Sequence, residues 1–211
     1  MLHTQTVSGT TLELLKALMK IPVLQQFGLV GGTNLSLRYG HRLSIDLDLF
    51  TNETFNPEQV YNQLETDFSN IVLASQSETM LFLYINEVKI DMVLLPYPNV
   101  KPIEIIEGIR LYSPEDVCAM KLSAIARRGV KKDFWDIAEL LDHFSLKEMI
   151  EFYKQKYKSR DIFHLVRSLV YFEDAEIQKE PDPLKKMTWP QVKLKVQKAV
   201  EAYVNKRLEE E

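Results

Sequence analysis

Two aspartates alternate with apolar residues in "LSIDLDLF", and a third occupies the same kind of setting in "VKIDMVLL". In an extended chain, residues two apart point to one face at a spacing of roughly 6.6 to 6.8 Å. Asp46 and Asp48 are therefore expected to project together, with Ile45, Leu47 and Leu49 entering a core on the opposite face. Carboxylates gathered this way suit hard divalent cations, Mg2+ or Mn2+ in its place, which take oxygen ligands and keep phosphate oxygens in their shell. If the strand carrying Asp91 pairs beside the first, three acids surround the metals. In a two-metal site the ions stand roughly 3.5 to 4 Å apart, one activating an attacking hydroxyl and the other neutralising the leaving phosphate. Asp91 is the expected shared ligand or general base.

Each acid alone would equally suit a strand with a solvated face. The choice is made by what lies upstream. Gly31 and Gly32 follow a short apolar run and precede a helical pattern, so backbone N–H groups can approach a ligand closely where a helix directs its positive dipole end. Strand, Gly-Gly, helix and Asp-x-Asp form one continuous device for a metal-bound triphosphate. Arg42 and Ser44, near the start of the aspartate strand, are candidate phosphate contacts, and His41 reads as a loop residue.

The elements that must position these groups are legible in outline. Ser8 to Met19 reads as a helix, "FGLV" as a short buried strand, Thr33 to Tyr39 as a helix and Ser44 to Phe50 as an alternating strand. Asn56-Pro57 opens a helix to about Phe68. "NIVLASQ", "TMLFLYI" and "VKIDMVLL" are three strands, the last two joined at Asn86-Glu87 by a tight hairpin. One short extended stretch follows, and Pro114 then begins an all-helical half with helices expected over 114–128, 131–143, 146–157, 160–171 and 190–209. Ser145 and Glu148 have capping-box spacing. "EDAEIQKEPDPLKK" reads as an exposed linker. The aromatic residues of this half, including Phe134, Trp135, Phe163 and Tyr171, read mainly as core, with base stacking by one or two left open. The final helix, with Val192, Val196, Ala199, Tyr203 and Val204 on one side, is expected to pack internally.

With 211 residues and 45% hydrophobic content the chain can bury a sizeable core. A formal net charge of −4 argues against indiscriminate coating of nucleic acid. It leaves room for a local basic site, and Lys121, Arg127, Arg128, Lys131 and Lys132 cluster without an intervening acid. The single Cys118 excludes a disulfide framework and suits a reducing compartment. No membrane-length apolar run or signal-peptide pattern is seen, so the chain reads as cytoplasmic.

Gly31-Gly32, separated by 13 residues from Asp46-Leu47-Asp48, together with the later Asp91, resembles the nucleotidyltransferase superfamily. The longer string "GGTNLSLRYGHRLSIDLDLF" resembles its AbiEii/AbiGii toxin branch. Two later motifs agree: "DVCAMK" matches Asp-x4-Lys at Asp116 and Lys121, and "KDFWD" matches Lys-Asp-x-x-Asp at Lys132, Asp133 and Asp136. The resemblance implies an α+β nucleotidyltransferase-fold lobe, a mixed sheet with flanking helices, over 1–110 and a C-terminal helical lobe over 111–211, with a ligand cleft expected between them. It implies Mg2+-dependent transfer of a nucleoside monophosphate from an NTP to an acceptor, tRNA 3′ ends for related toxins, and an antitoxin encoded alongside. Gly31, Gly32, Thr33, Arg42, Ser44 and Lys121 are then the nucleotide-binding candidates, and Asp46, Asp48, Asp91, Lys132 and Asp136 the catalytic ones. Lys132 and Asp136 share a helical face, the lysine clamping a phosphate while the aspartate orients it. Two departures stand out. Many polymerase-like members carry Gly-Ser where this chain has Gly31-Gly32, so a hydroxyl at the triphosphate has to come from Thr33. Ile137 stands where the toxins often have a basic residue. Transfer to a small molecule or protein hydroxyl, and a noncatalytic binding module on the same fold, are the alternatives.

Overall fold

The structure, a computed structural model, describes residues 1–159 and 162–210. It divides into two compact units, Met1–Ser113 and Pro114–Glu211. Among the described residues no helix is long and apolar enough to cross a membrane.

The first unit holds a seven-stranded mixed sheet. Its strands are β1 (Gly28–Leu29), β2 (Leu47–Thr51), β3 (Ile71–Ser77), β4 (Met80–Ile85), β5 (Val88–Leu94), β6 (Glu104–Ile106) and β7 (Ile109–Leu111), with α1 (Gly9–Leu18), α2 (Gly31–Tyr39) and α3 (Pro57–Asp67) between them. The order is β3-β4-β5-β2-β1-β7-β6. β2 runs parallel to β5 and β1 parallel to β7, while the other neighbours are antiparallel. Asn86 and Glu87 both take positive φ, 49° and 65°, which a tight hairpin with right-handed strand twist requires. Leu47, Leu49, Leu81, Leu83, Ile90 and Met92 form one apolar sheet face, sharing a core with Leu15 and Leu18 of α1 and Leu64 of α3. Alternation along each strand therefore leaves the opposite face for Asp48 and Asp91.

The aspartate strand starts later than the alternation suggests. Ser44 to Asp46 lie outside β2, and Ile45, expected in the core, is 72% exposed. Side chains at 44 and 33 bind each other here, so the segment is held by local hydrogen bonds and no ladder forces residue 45 inward. The single extended stretch expected before the helical half is a second hairpin, β6–β7, turning on Glu107 and Gly108 at φ 52° and 79°. Tyr112 belongs with the first unit: its N–H donates to the Leu29 carbonyl, and its own carbonyl accepts from Asn34 and Arg38.

The second unit is helical: α4 (Pro114–Arg127), α5 (Lys131–Leu140), α6 (Leu146–Tyr157), α7 (Phe163–Leu169), α8 (Glu173–Glu176) and α9 (Trp189–Glu210). The expected start of a helix at residue 160 lies outside the described residues. Ser145 caps α6 with the full reciprocal capping box to Glu148. Trp189 packs among Phe134, Trp135 and Phe172, with ring centroids 5.7 to 5.9 Å apart. Phe163 and Tyr171, by contrast, are exposed. Val192, Val196 and Val200 of α9 are buried, whereas Val204 is exposed. The supposed linker is partly structured: α8 buries Ala175, and the Gln178 side chain accepts from Lys131 N–H and donates to the Gly129 and Asp174 carbonyls.

Candidate active site

Asp48 and Asp91 are paired positions on neighbouring parallel strands. Their side chains leave the same face, on strands roughly 4.8 Å apart. Gly31 closes over Asp48. It has φ +71°, which glycine adopts without a steric penalty, and a Cβ there would stand 3.0 Å from Asp48 Cγ and nearer still to the carboxylate oxygen. The Val30 N–H donates to the Asp48 carbonyl at 2.9 Å, fixing strand and turn together. Val30 occupies the N-cap of α2 and supplies no side-chain cap, so its first-turn amides have no capping acceptor from that position. The helix begins at Gly31, two residues earlier than the apolar spacing indicates, which places both glycines in that first turn.

Gly32 leaves room for the Arg42 guanidinium, which a Cβ would displace. Arg42 is buried, and its Nη1 donates to the Leu43 carbonyl at 2.9 Å. Thr33 and Ser44 lie beneath. The Thr33 hydroxyl donates to the Asp46 carbonyl and is 2.8 Å from Ser44 Oγ. Both residues are buried. Their hydroxyls thus hold the chain that carries Asp46.

Asp91 divides its carboxylate between two surroundings. Oδ2 accepts from Lys89 Nζ at 2.5 Å. Oδ1 is buried and has no hydrogen-bond partner. Burial acts to lower the Lys89 pKa, but the hydrogen bond and charge of Asp91, with the charges of Asp46 and Asp48, raise it on balance. Among the described residues, no three acidic, histidine or cysteine side chains close on one point as a metal-ligand set. Two of the expected three acids, Asp48 and Asp91, share a sheet face, while Asp46 precedes the strand, and Lys89 stands against Asp91. Lys89 was legible: two residues before Asp91 in a strand, it must share its face.

The later motifs organise the second unit. Lys121 Nζ stands 2.7 Å from Asp133 Oδ1 and 2.6 Å from Asp136 Oδ2, and all three residues are buried. Arg128 approaches the other Asp133 oxygen at 3.5 Å. Lys132 is exposed. Asp116, the first residue of Asp-x4-Lys, pairs with the buried Lys156 of α6 at 2.7 Å, a partner no local spacing reveals. Lys131, from the basic cluster, is buried and stands 5.1 Å from the Trp189 ring centroid. Cys118 is buried in α4, where desolvation and then the charge of Glu115 push its thiol pKa up.

The family described as "Nucleotidyl transferase AbiEii toxin, Type IV TA system" matches residues 13–206. An uncharacterised protein of Aquifex aeolicus is 33% identical over 200 residues, covering 91% of this chain and 95% of that protein. Two solved structures share the fold. JHP933 of Helicobacter pylori has a TM-score of 0.58 at 20% identity, covering 97% of this chain and 95% of its own. MenT4, a nucleotidyltransferase toxin of Mycobacterium tuberculosis, has a TM-score of 0.59 at 14% identity, covering 89% and 82%. The motif residues, the mixed sheet that aligns them and a family match along nearly the whole chain agree: this chain belongs to the AbiEii nucleotidyltransferase toxin family.

Proposed function

We propose that the protein transfers a nucleoside monophosphate from an NTP to an RNA 3′ hydroxyl, with tRNA as the acceptor and Mg2+ as the resident ion. The observation that carries this reading is the Asp48–Asp91 register beneath the Gly31 turn. It sets two carboxylates beside a helix N-terminus without a side-chain cap, which is what a metal-bound triphosphate needs.

The residues fit a hard cation. Asp46, Asp48 and Asp91 offer only oxygen donors, and the buried Oδ1 of Asp91 lacks a partner that a cation would supply. Bound there, Mg2+ would polarise phosphate oxygens and favour deprotonation of the attacking hydroxyl. The chain's own groups do the positioning. Backbone amides of Gly31, Gly32 and Thr33 receive phosphate oxygens, and Arg42 adds positive charge beside Gly32. Thr33 and Ser44 act through the backbone by fixing Asp46. In the second unit, Lys132 is proposed to neutralise phosphate charge. Lys121, between Asp133 and Asp136, fixes α4 to the start of α5 and thereby the exposure of Lys132. The family's toxin–antitoxin character implies a cognate antitoxin, and a tRNA acceptor places the activity in the cytoplasm.

The test is incubation with each labelled NTP, Mg2+ and total tRNA, comparing the native chain with Asp48→Asn. Label entering tRNA only with the native chain is the expected result. Label in protein or small metabolites replaces the acceptor, and equal transfer by Asp48→Asn removes the site.

A further inference from the structure

Lys89 stands apart from every motif, yet it occupies the electrostatic centre of the proposed site. It lies on the Asp91 face of β5, two residues before it, and extending the β2–β5 register by one residue from Leu47–Ile90 sets it opposite Asp46. Its ammonium meets Asp91 Oδ2 at 2.5 Å while Oδ1 is left without a partner. The ring centroid of Phe82, paired with Asp91 across β4 and β5, is 6.0 Å from Nζ. The side chain is 42% exposed, so its position is set by these partners and not by enclosure in a core.

We propose that Lys89 is a built-in counter-cation of the acid cluster, holding Oδ2 of Asp91, leaving Oδ1 for a divalent ion and so limiting the nucleotide-free chain to one tightly held metal. The proposal rests on the metal site argued above, but it changes how that site works. With Oδ2 held by Lys89, Asp91 would have only Oδ1 to offer a metal. A second ion must therefore compete with the ammonium for Oδ2. A triphosphate carries the negative charge that lets Lys89 move to a phosphate oxygen and release Asp91. The ion pair also offsets part of the mutual repulsion of Asp48 and Asp91, which the β2–β5 register holds side by side.

Mn2+ binding to the full chain without nucleotide, counted by electron paramagnetic resonance, tests this directly and needs no turnover. The native chain is expected to hold one tight ion. Lys89→Met keeps the length of the side chain and removes the charge. It is expected to bind Mn2+ on the order of tenfold more tightly, from the loss of a unit positive charge near a doubly charged ion, and to take up a second ion. Lys89→Arg should behave as the native chain. Unchanged or weaker binding by Lys89→Met, with the native chain retaining one site, overturns the lysine's role. If Asp48→Asn binds Mn2+ as the native chain does, the metal site itself is wrong, and the two failures are thereby told apart.

Discussion

Gly31→Ala is the sharpest single perturbation of this site. At φ +71° a residue with a Cβ pays about 1 to 2 kcal/mol for the left-handed conformation. The new methyl would lie 3.0 Å from Asp48 Cγ, against roughly 3.5 to 4.0 Å for a relaxed carbon contact. The carboxylate must therefore move by about 0.5 to 1 Å, and displacement near 1 Å at reacting groups can slow chemistry on the order of 100-fold. We expect kcat/KM for labelled nucleotide transfer to fall by about two orders of magnitude. The melting temperature should drop by several degrees, at roughly 2 to 4 °C per kcal/mol for a chain of this length. Gly9→Ala is the matched control, since nothing lies within 4 Å of its added Cβ at the start of α1. A Gly31→Ala protein that transfers label within about threefold of the native rate would refute the claim that this glycine exists to seat Asp48.

Two further expectations concern the helical unit. Lys121→Met leaves two buried carboxylates facing each other, so urea titration should show a loss of about 3 to 5 kcal/mol; a loss below about 1 kcal/mol would mean the trio is not needed for folding. In the capping box, the hydroxyl and then the N–H of Ser145 hold the Glu148 carboxyl below its ordinary pKa. This contribution is complete above about pH 4.3 and fades as pH falls through the lower folded value. Ser145→Ala should destabilise by about 1 kcal/mol at neutral pH and flatten the acid side of the stability profile, and an unaltered profile would deny the cap this linkage.

Local patterns carried the sequence reading furthest where chemistry and periodicity coincide. Asp48 and Asp91 alternate with core residues, so strand geometry alone sends them to one face; their pairing across β2 and β5 needed only adjacency. Ile45 misled because alternation continues in the sequence past the point where the ladder ends, and a Thr33–Ser44 contact replaces it. The pairs Lys121–Asp136 and Asp116–Lys156 span 15 and 40 residues, beyond any local spacing rule. Gln178 was hidden for a different reason: its surroundings are acidic and proline-containing, so composition suggested an exposed connector, while the Gly129 and Asp174 carbonyls and the Lys131 N–H fasten it to the start of α5 and to α8.

The two staples that span the glycine turn and the aspartates, from Val30 to the Asp48 carbonyl and from the Thr33 hydroxyl to the Asp46 carbonyl, are nested one inside the other. The chain between Thr33 and Ser44 is then an excursion closed at its base, and it returns Arg42 against Gly32 before the strand begins. A change of length there would have to spare the buried His41 and Arg42 and the close approach of Gly40 to His3, while the closed base keeps the backbone at the acids in place.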